Sequence, residues 1–340
     1  MIYGVEDMYT NVGALPVTKT TVRIGEAFAP VVPNNFNTNN FAIAEQVTLS
    51  KTRGKRPTIS SAQRVTLGAF VPGRINVSQG QSVTPFGLQA TAFLNRTSGL
   101  DALHANAYNA LINGLVSDGV WSKLDVLYIF ATQNTTTALL NLISSSFTGT
   151  ANGSPSFTTD RGYTGVDASS TVFINTGFNP TTAPSPNYVT NSCHISAWAD
   201  TAVTAGSSGG AFIGHSGAAG NTSNIYGRFS DGNAYFRIND LTPAGGFTSA
   251  SSLGHWLACR TGASASIGYK NGASFATLNQ TAGTLSNNNI FVLAYNLNGT
   301  ASTGSACQLT MASMGGGLTA TDATNFYNRL RTYMTSVGVP

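Results

Sequence analysis

NIYGRFSDGNAYFRIN, residues 224–239, is the stretch whose reading decides the fold. Apolar or small residues alternate with polar ones on both sides of Asp231-Gly232. That dipeptide suits a two-residue reversal in which both turn positions take positive φ. Folding about it sets Ser230 opposite Asn233, Phe229 opposite Ala234, Arg228 opposite Tyr235, Gly227 opposite Phe236, Tyr226 opposite Arg237 and Ile225 opposite Ile238. One side of the ribbon then carries Ile225, Gly227, Phe229, Ala234, Phe236 and Ile238. The other carries Tyr226, Arg228, Tyr235 and Arg237. This is the pattern of a half-buried antiparallel pair, and a one-residue slip would bury the arginines, so the faces are well specified.

Outward from this ribbon, the same two-residue period recurs from about residue 150 to the end. It predicts strands over 171–175, 193–199, 211–213, 256–260, 266–270, 274–278, 290–295 and 308–312, separated by Gly, Ser, Asn and Pro clusters. Asn271-Gly272 marks a second hairpin that pairs Lys270 with Ala273, Tyr269 with Ser274 and Gly268 with Phe275. Each hairpin sets a glycine opposite a phenylalanine whose ring can cover exposed backbone. The chain closes with a helix. Thr319 and Asp322 have the spacing of a capping box, Phe326, Tyr327, Leu330, Tyr333, Met334 and Val337 share one face, and Gly338 stops it.

Upstream the period changes. In DALHANAYNALINGLV, residues 101–116, Leu103, Ala107, Tyr108, Leu111, Ile112, Leu115 and Val116 recur at helical spacing, with Asp101 as N-cap and Gly119 as stop. Residues 121–131 end in an apolar run of strand length, and 138–143 form a short helix or turn. This helix–strand–helix unit, 100–149, is expected as a connector on the edge of the sandwich. Residues 1–99 show little periodicity, apart from short strands expected at 42–49, 65–71 and 74–77. They form an extended, β-rich segment ordered by contact with other chains.

Composition narrows the class. Charged residues are 9% of the 340, far below the roughly 25% of ordinary soluble domains, while 41% are hydrophobic, which argues against disorder. Residues 1–99 carry nine of the 17 Lys/Arg and four of the 13 Asp/Glu, so the net charge of +4 belongs to the N-terminal third. Lys51, Arg53, Lys55 and Arg56 form the only basic run. The plain assignment is a solvated loop; the sharper one is a docking contact with an acidic surface. Nucleic acid fits poorly, because the run lacks aromatic interleaving and helical spacing. Cys193, Cys259 and Cys307 are odd in number and far apart, and they read as buried apolar side chains rather than a disulfide framework. The opening MIYGVEDMYT lacks the basic start and apolar core of a signal peptide, and no apolar run reaches the roughly 18 residues of a membrane span. Synthesis in a cytoplasm is therefore expected.

Four stretches together resemble a known family: the hairpin GYKNGASF (268–275), the strand IFVLAY (290–295), the Gly-rich MASMGGG (311–317) and the closing LTATDATNFYNRLRTY (318–333). They resemble the C-terminal half of concanavalin A-like, or laminin-G-like, jelly rolls. The segment at 100–131, followed by FTTDRGYTG (157–165) and INTGFNP (174–180), is similar to phage and prophage structural proteins that carry such a domain. The resemblance implies a mainly β fold: an antiparallel jelly-roll sandwich over 150–340 with a short C-terminal helix. It also implies a virion structural protein, as a tail fibre, collar or head-decoration module, with other virion proteins as partners and a cyclic homo-oligomeric state.

The chemistry argues against an enzyme. A retaining glycosidase needs two carboxylates about 5 Å apart, yet the only glutamates are Glu6, Glu26 and Glu45, and the aspartates of the sandwich are isolated in sequence. GSSGGAF at 206–212 contains a Gly-x-Ser-x-Gly match, but it joins strands without a following helix and reads as a loop rather than a nucleophile elbow, and no Gly-x-x-x-x-Gly-Lys motif occurs in the sequence. Calcium is common in the resembled family, and Asp160, Asp167, Asp200 and Asp240 lie in or near loops, but no dense acidic spacing supports a site. No cofactor is expected. His104, His194, His215 and His255 are scattered and read as structural, and Trp198 and Trp256 as core. The polar hairpin face is the candidate site. Tyr226 with Arg237 and Arg228 with Tyr235 would form cation–π pairs worth about 0.5–1 kcal/mol each when exposed. Such a face suits a host-surface glycan; its plain alternative is a ribbon stabilised by its own cross-strand pairs. The main alternative to a virion role is a carbohydrate-binding adhesin, with a polysaccharide depolymerase behind it.

Overall fold

The Asn271-Gly272 reversal forms as its chemistry demands. Both residues have positive φ, 51° and 76°, so Lys270 faces Ala273 and Tyr269 faces Ser274. Beyond them a bulge moves Gly268 onto Ala276 instead of Phe275. The computed structural model describes residues 86–203, 209–217, 221–240, 242 and 246–340, and the backbone of four two-residue strands before them. It divides into two units, Met1–Phe86 and Gly87–Pro340.

In the first unit β1 (Ile2–Tyr3) pairs antiparallel with β3 (Arg23–Ile24), and β2 (Lys19–Thr20) with β4 (Ile59–Ser60). The strands expected at 42–49, 65–71 and 74–77, and the basic run Lys51, Arg53, Lys55 and Arg56, lie outside the described residues.

The second unit is a jelly-roll β-sandwich. Its first sheet runs β17 (Ala273–Thr277), β16 (Ser266–Lys270), β15 (Gly254–Arg260), β10 (Cys193–Ala199), β21 (Gln308–Gly315), β8 (Gly162–Thr164) and β7 (Ser156–Thr158). Strand β5 (Leu124–Ile129) joins it on β21. The second sheet runs β14 (Phe247–Thr248), β13 (Asn233–Asp240), β12 (Thr222–Tyr226), β11 (Ile213–Ser216), β18 (Phe291–Val292), β9 (Phe173–Asn175) and β6 (Thr150–Asn152). A short β19 (Tyr295–Leu297) lies parallel to β11 and pairs with β20 (Thr300–Ser302). Every other pairing is antiparallel. The short strands β6, β7, β8, β14 and β20 have too few alternating residues to announce themselves in the sequence.

Two cores follow. Between the sheets lie Ile195, Phe212, Ile225, Phe236, Trp256 and Leu309, all fully buried. On the other face of the first sheet, Trp198, Leu257 and Met311 meet two helices, α2 (Ala102–Ser117) and α4 (Ala320–Ser336), through Tyr108, Leu111, Phe326 and Tyr333. The helical segment expected at the sandwich edge therefore covers a face. The reason lies in β10, where Trp198 points away from Ile195 and Ala197 and needs its own apolar cover. The compact unit also begins before residue 100: α1 (Leu88–Leu94) packs Ala90 and Phe93 into the helical core. A one-turn α3 (Thr135–Ala138) follows β5.

The caps are as expected. Asp101 accepts the His104 N–H at 2.9 Å, and Thr319 and Asp322 form a reciprocal capping box on α4. Gly119 and Gly338, at φ 72° and 79°, terminate α2 and α4.

The decisive hairpin keeps its faces along β12 and β13 but changes its partners. Ile225 pairs with Phe236, Tyr226 with Tyr235 and Asn224 with Arg237, two residues away from the expected register. Gly232 has φ 84°, whereas Asp231 stays outside the left-handed region. The Gly232 N–H donates to Phe229 O at 3.0 Å, and Asp231 Oδ1 accepts the Asn233 N–H at 2.9 Å. The reversal is thus centred on Ser230-Asp231 and closed by a glycine bulge. A shift of two preserves side-chain direction, so Ile225, Ala234, Phe236 and Ile238 remain buried. The glycine–phenylalanine contacts change partners as well: a Cβ on Gly268 would lie 3.0 Å from the Phe236 ring, and one on Gly227 would lie 2.3 Å from that of Phe212.

Candidate functional site

The polar hairpin face is built on β12, β13 and the turn between them. Because Tyr226 and Tyr235 are direct cross-strand partners, the expected Tyr226–Arg237 and Arg228–Tyr235 cation–π pairs do not form. Phe229 takes their place. Its ring meets Tyr226 edge-on at 5.8 Å and Tyr235 edge-on at 5.9 Å, so it sits with the tyrosines rather than in the core. Three half-buried rings line this end of the ribbon.

Tyr226, Tyr235 and Arg228 each have a local tether. The Tyr226 hydroxyl is 3.1 Å from Thr303 Oγ1, and burial raises its pKa. Tyr235 donates its hydroxyl to Asp231 Oδ2 at 2.5 Å; this bond raises the phenol's pKa and lowers the carboxyl's. Arg228 Nε donates to Ser249 O at 3.1 Å. Arg237, half-buried, neighbours Asn224 across the ladder. The face therefore offers aromatic edges with two guanidinium groups beside them, a surface suited to stacking and to acidic or hydroxylated partners.

The carboxylates of the sandwich unit support the fold. Asp118 is held by Arg329 at 2.8 Å and Asp322 by Lys123 at 2.5 Å. Asp125 takes the N–H groups of Asn187 and Tyr188 at 2.7 and 2.8 Å. Asp240 faces Arg260 at 3.7 Å with both side chains fully buried, and Arg260 Nε donates to Ile238 O at 2.9 Å. Asp200 lies 3.7 Å from Arg161. The four loop aspartates considered for calcium are accordingly not gathered into a site. Among the described residues no group of three or more His, Cys, Asp or Glu is placed to hold a metal ion.

The histidines divide into two kinds. His194, His215 and His255 are buried, and burial lowers their pKa values to about 4, about 4 and about 3. His194 Nδ1 lies 2.6 Å from Gly316 O and His215 Nδ1 2.9 Å from Asn288 O. Both ring nitrogens of His255 lack a partner among the described residues, and the ring lies against Trp198, Phe326 and Tyr327. His104 is the exception. Burial alone would lower its pKa, but Asp101 at 2.7 Å and Asp160 at 2.8 Å raise it above the usual histidine value. Cys193, Cys259 and Cys307 are free and buried, as expected, and burial raises their thiol pKa values, to about 12 for Cys259 and about 11 for Cys307. Trp198 and Trp256 are core residues, also as expected.

Two features escaped the sequence reading. The i, i+3 spacing of Asp101 and His104 was a visible signal for the first half of the His104 bridge; nothing local announced Asp160. The open groove beside Trp121 combines segments 88–96, 121 and 142–145, and no spacing rule joins them.

No protein-family model and no curated protein matches the chain. Solved structures resemble it distantly. Domain 4 of AbnA, an extracellular arabinanase from Geobacillus stearothermophilus, in complex with arabinotriose, is 14% identical over 60% of this chain and 98% of that one, with a TM-score of 0.41. The binding domain of botulinum neurotoxin serotype D is 10% identical over 63% of this chain, with a TM-score of 0.42. Trypanosoma rangeli sialidase is 8% identical over 66% of this chain, with a TM-score of 0.41. The chain spans about half the length of the toxin structure, 52%, and 38% of the sialidase. At these values the likenesses carry no statement about ligand or activity; the sandwich rests on the strand pairing described above. No helix among the described residues is long and apolar enough to cross a membrane.

Proposed function

We propose that this chain is a non-catalytic recognition and display module. The sandwich holds the hairpin face of Tyr226, Phe229, Tyr235, Arg228 and Arg237 toward a carbohydrate-bearing partner, and residues 1–99 attach it to a larger assembly. The observation that carries the non-catalytic part is the commitment of the sandwich carboxylates: Asp118, Asp125, Asp200, Asp240 and Asp322 each hold a cation or backbone N–H that the fold needs. A hydrolase would require a pair of them released to face substrate. Binding of a glycan-array ligand by the purified full chain, weakened at least about tenfold in Arg228→Ala with Arg237→Ala, is the expected result. Binding indifferent to both changes removes this face from consideration, and polysaccharide cleavage by the chain removes the non-catalytic reading.

The finer reading is a virion structural protein, as a tail fibre, collar or head-decoration module, acting as a homo-oligomer. It is supported by the resemblance of residues 100–340 and by the low charge and Asn/Gly-rich loops. In that setting Lys51, Arg53, Lys55 and Arg56 contribute to docking on other virion proteins. Deleting residues 1–99 should abolish incorporation into particles; normal incorporation of the truncated chain would rule this assignment out.

A further inference from the structure

The helical side of the sandwich unit holds an open groove of about 290 Å³ between α1, Trp121 and the loop at 142–145. Trp121 is half-buried in its wall, whereas the other two tryptophans, Trp198 and Trp256, are 3% and 0% exposed. Ala92 and Ile143 give the groove an apolar surface, and Gln89, Ser144 and Ser145 line it with polar groups.

Arg96 also lines it. Its Nη1 donates to Ser144 O at 2.9 Å, and its Nη2 to Asn141 O and Leu142 O at 2.7 and 3.2 Å. All three acceptors are neutral carbonyls, and among the described residues no carboxylate pairs with this half-buried cation. A guanidinium has five N–H donors, so one on Nε and one on Nη1 have no protein acceptor among the described residues. The Arg96 guanidinium also lies 5.4 Å from the centre of the Phe93 ring, and a ligand carboxylate would add the charge-assisted bonds that these neutral contacts do not give.

From these neighbours we infer that the groove is a binding site for an acidic monosaccharide unit, a pyranose ring bearing a carboxylate. The carboxylate pairs with Arg96, the ring lies on the Trp121 indole, and the ring hydroxyls meet Gln89, Ser144 and Ser145. The volume is at the small end for ligand pockets, so one ring enters rather than a chain. This site is remote in sequence from the hairpin face and does not depend on it.

The test uses the full chain with ¹⁵N-labelled tryptophan, whose three indole N–H resonances report separately on Trp121 and the two core residues. Glucuronate is expected to shift the Trp121 resonance alone, with glucose and benzoate each at least about tenfold weaker. Arg96→Lys keeps the charge but loses the fork, and should weaken glucuronate about tenfold while its melting temperature shows whether the 142–145 loop still packs. If Arg96→Lys unfolds, Gln89→Ala, on an exposed helix position, should still weaken glucuronate severalfold. An unmoved Trp121 resonance with glucuronate overturns the site; glucose binding as tightly overturns the role of the carboxylate; benzoate binding more tightly overturns the sugar. Loss of hairpin-face binding in Arg228→Ala with Arg237→Ala would leave all these readouts unchanged, so the two proposals fail separately.

Discussion

His104 Nε2 lies 2.8 Å from Asp160 Oδ1 and joins the first turn of α2 to the turn between β7 and β8. The Nδ1 of the same ring lies 2.7 Å from Asp101 Oδ1, so one imidazole is held between two carboxylates. Both nitrogens can donate only when the ring is protonated.

This bridge sets a pH dependence. The folded His104 pKa is raised by its two carboxylates against the opposing effect of burial, so its stabilisation is fully present below the unfolded value of about 6.5. It is lost as pH rises through the higher folded value. Urea unfolding at a series of pH values above 6.5 should show stability falling with pH in the wild type, with a shallower slope in His104→Gln. An identical slope in the two proteins would remove His104 as the cause.

Acid acts through the other histidines. His194, His215 and His255 stay neutral in the fold down to about pH 4, 4 and 3, whereas their unfolded counterparts protonate near 6.5. Each contributes stability that is present above the unfolded value and lost as pH falls, at up to about 1.4 kcal/mol per pH unit. His255→Phe replaces two unpartnered buried nitrogens among aromatic neighbours. It should be within about 1.5 kcal/mol of wild type at pH 7 and more stable than wild type at pH 5. Equal loss of stability on acidification in both proteins would show that His255 does not titrate as stated.

The second hairpin is intolerant at one residue. Gly272 has φ 76°, and a Cβ there would lie 2.9 Å from Tyr327 Cβ and 3.2 Å from Thr324 Cα on α4. Gly272→Ala should cost about 2–3 kcal/mol from left-handed strain and from pushing the helix away. Gly299 also has positive φ, 97°, but its Cβ would meet nothing within 4 Å, so Gly299→Ala should cost only about 1 kcal/mol. Similar losses in the two variants would mean that contact with α4 contributes nothing.

The arginines of the hairpin face are expected to be dispensable to folding. Among the described residues Arg228 makes one hydrogen bond, to Ser249 O, and Arg237 is half-buried on the outer side of β13. Arg228→Ala and Arg237→Ala should each lie within about 1 kcal/mol of wild type by urea unfolding. A loss above about 3 kcal/mol would identify either as a structural residue and disqualify it as a reporter of glycan binding.

The sequence by itself determined what short-range chemistry can specify. Two-residue alternation placed the long strands β10, β13, β15, β16 and β21. Asn271-Gly272 set its reversal because both positions tolerate positive φ, and Asp101, Thr319, Asp322, Gly119 and Gly338 set the helix ends because a cap acts within one turn. Of the candidate site, only the side of the ribbon that carries Tyr226, Arg228, Tyr235 and Arg237 was legible. The tertiary structure decided the rest. It shifted the hairpin by two residues, which alternation permits because the faces along β12 and β13 are unchanged, and it placed Phe229, expected on the apolar side, between two tyrosines where arginines were expected. It laid α2 and α4 over the first sheet, since Trp198, Leu257 and Met311 on its outer face need apolar cover, and brought Asp160 to His104 and Trp121 to Arg96. Contacts between residues so far apart in the chain leave no periodic trace; they exist because buried surfaces and charges must find cover wherever the packed chain supplies it.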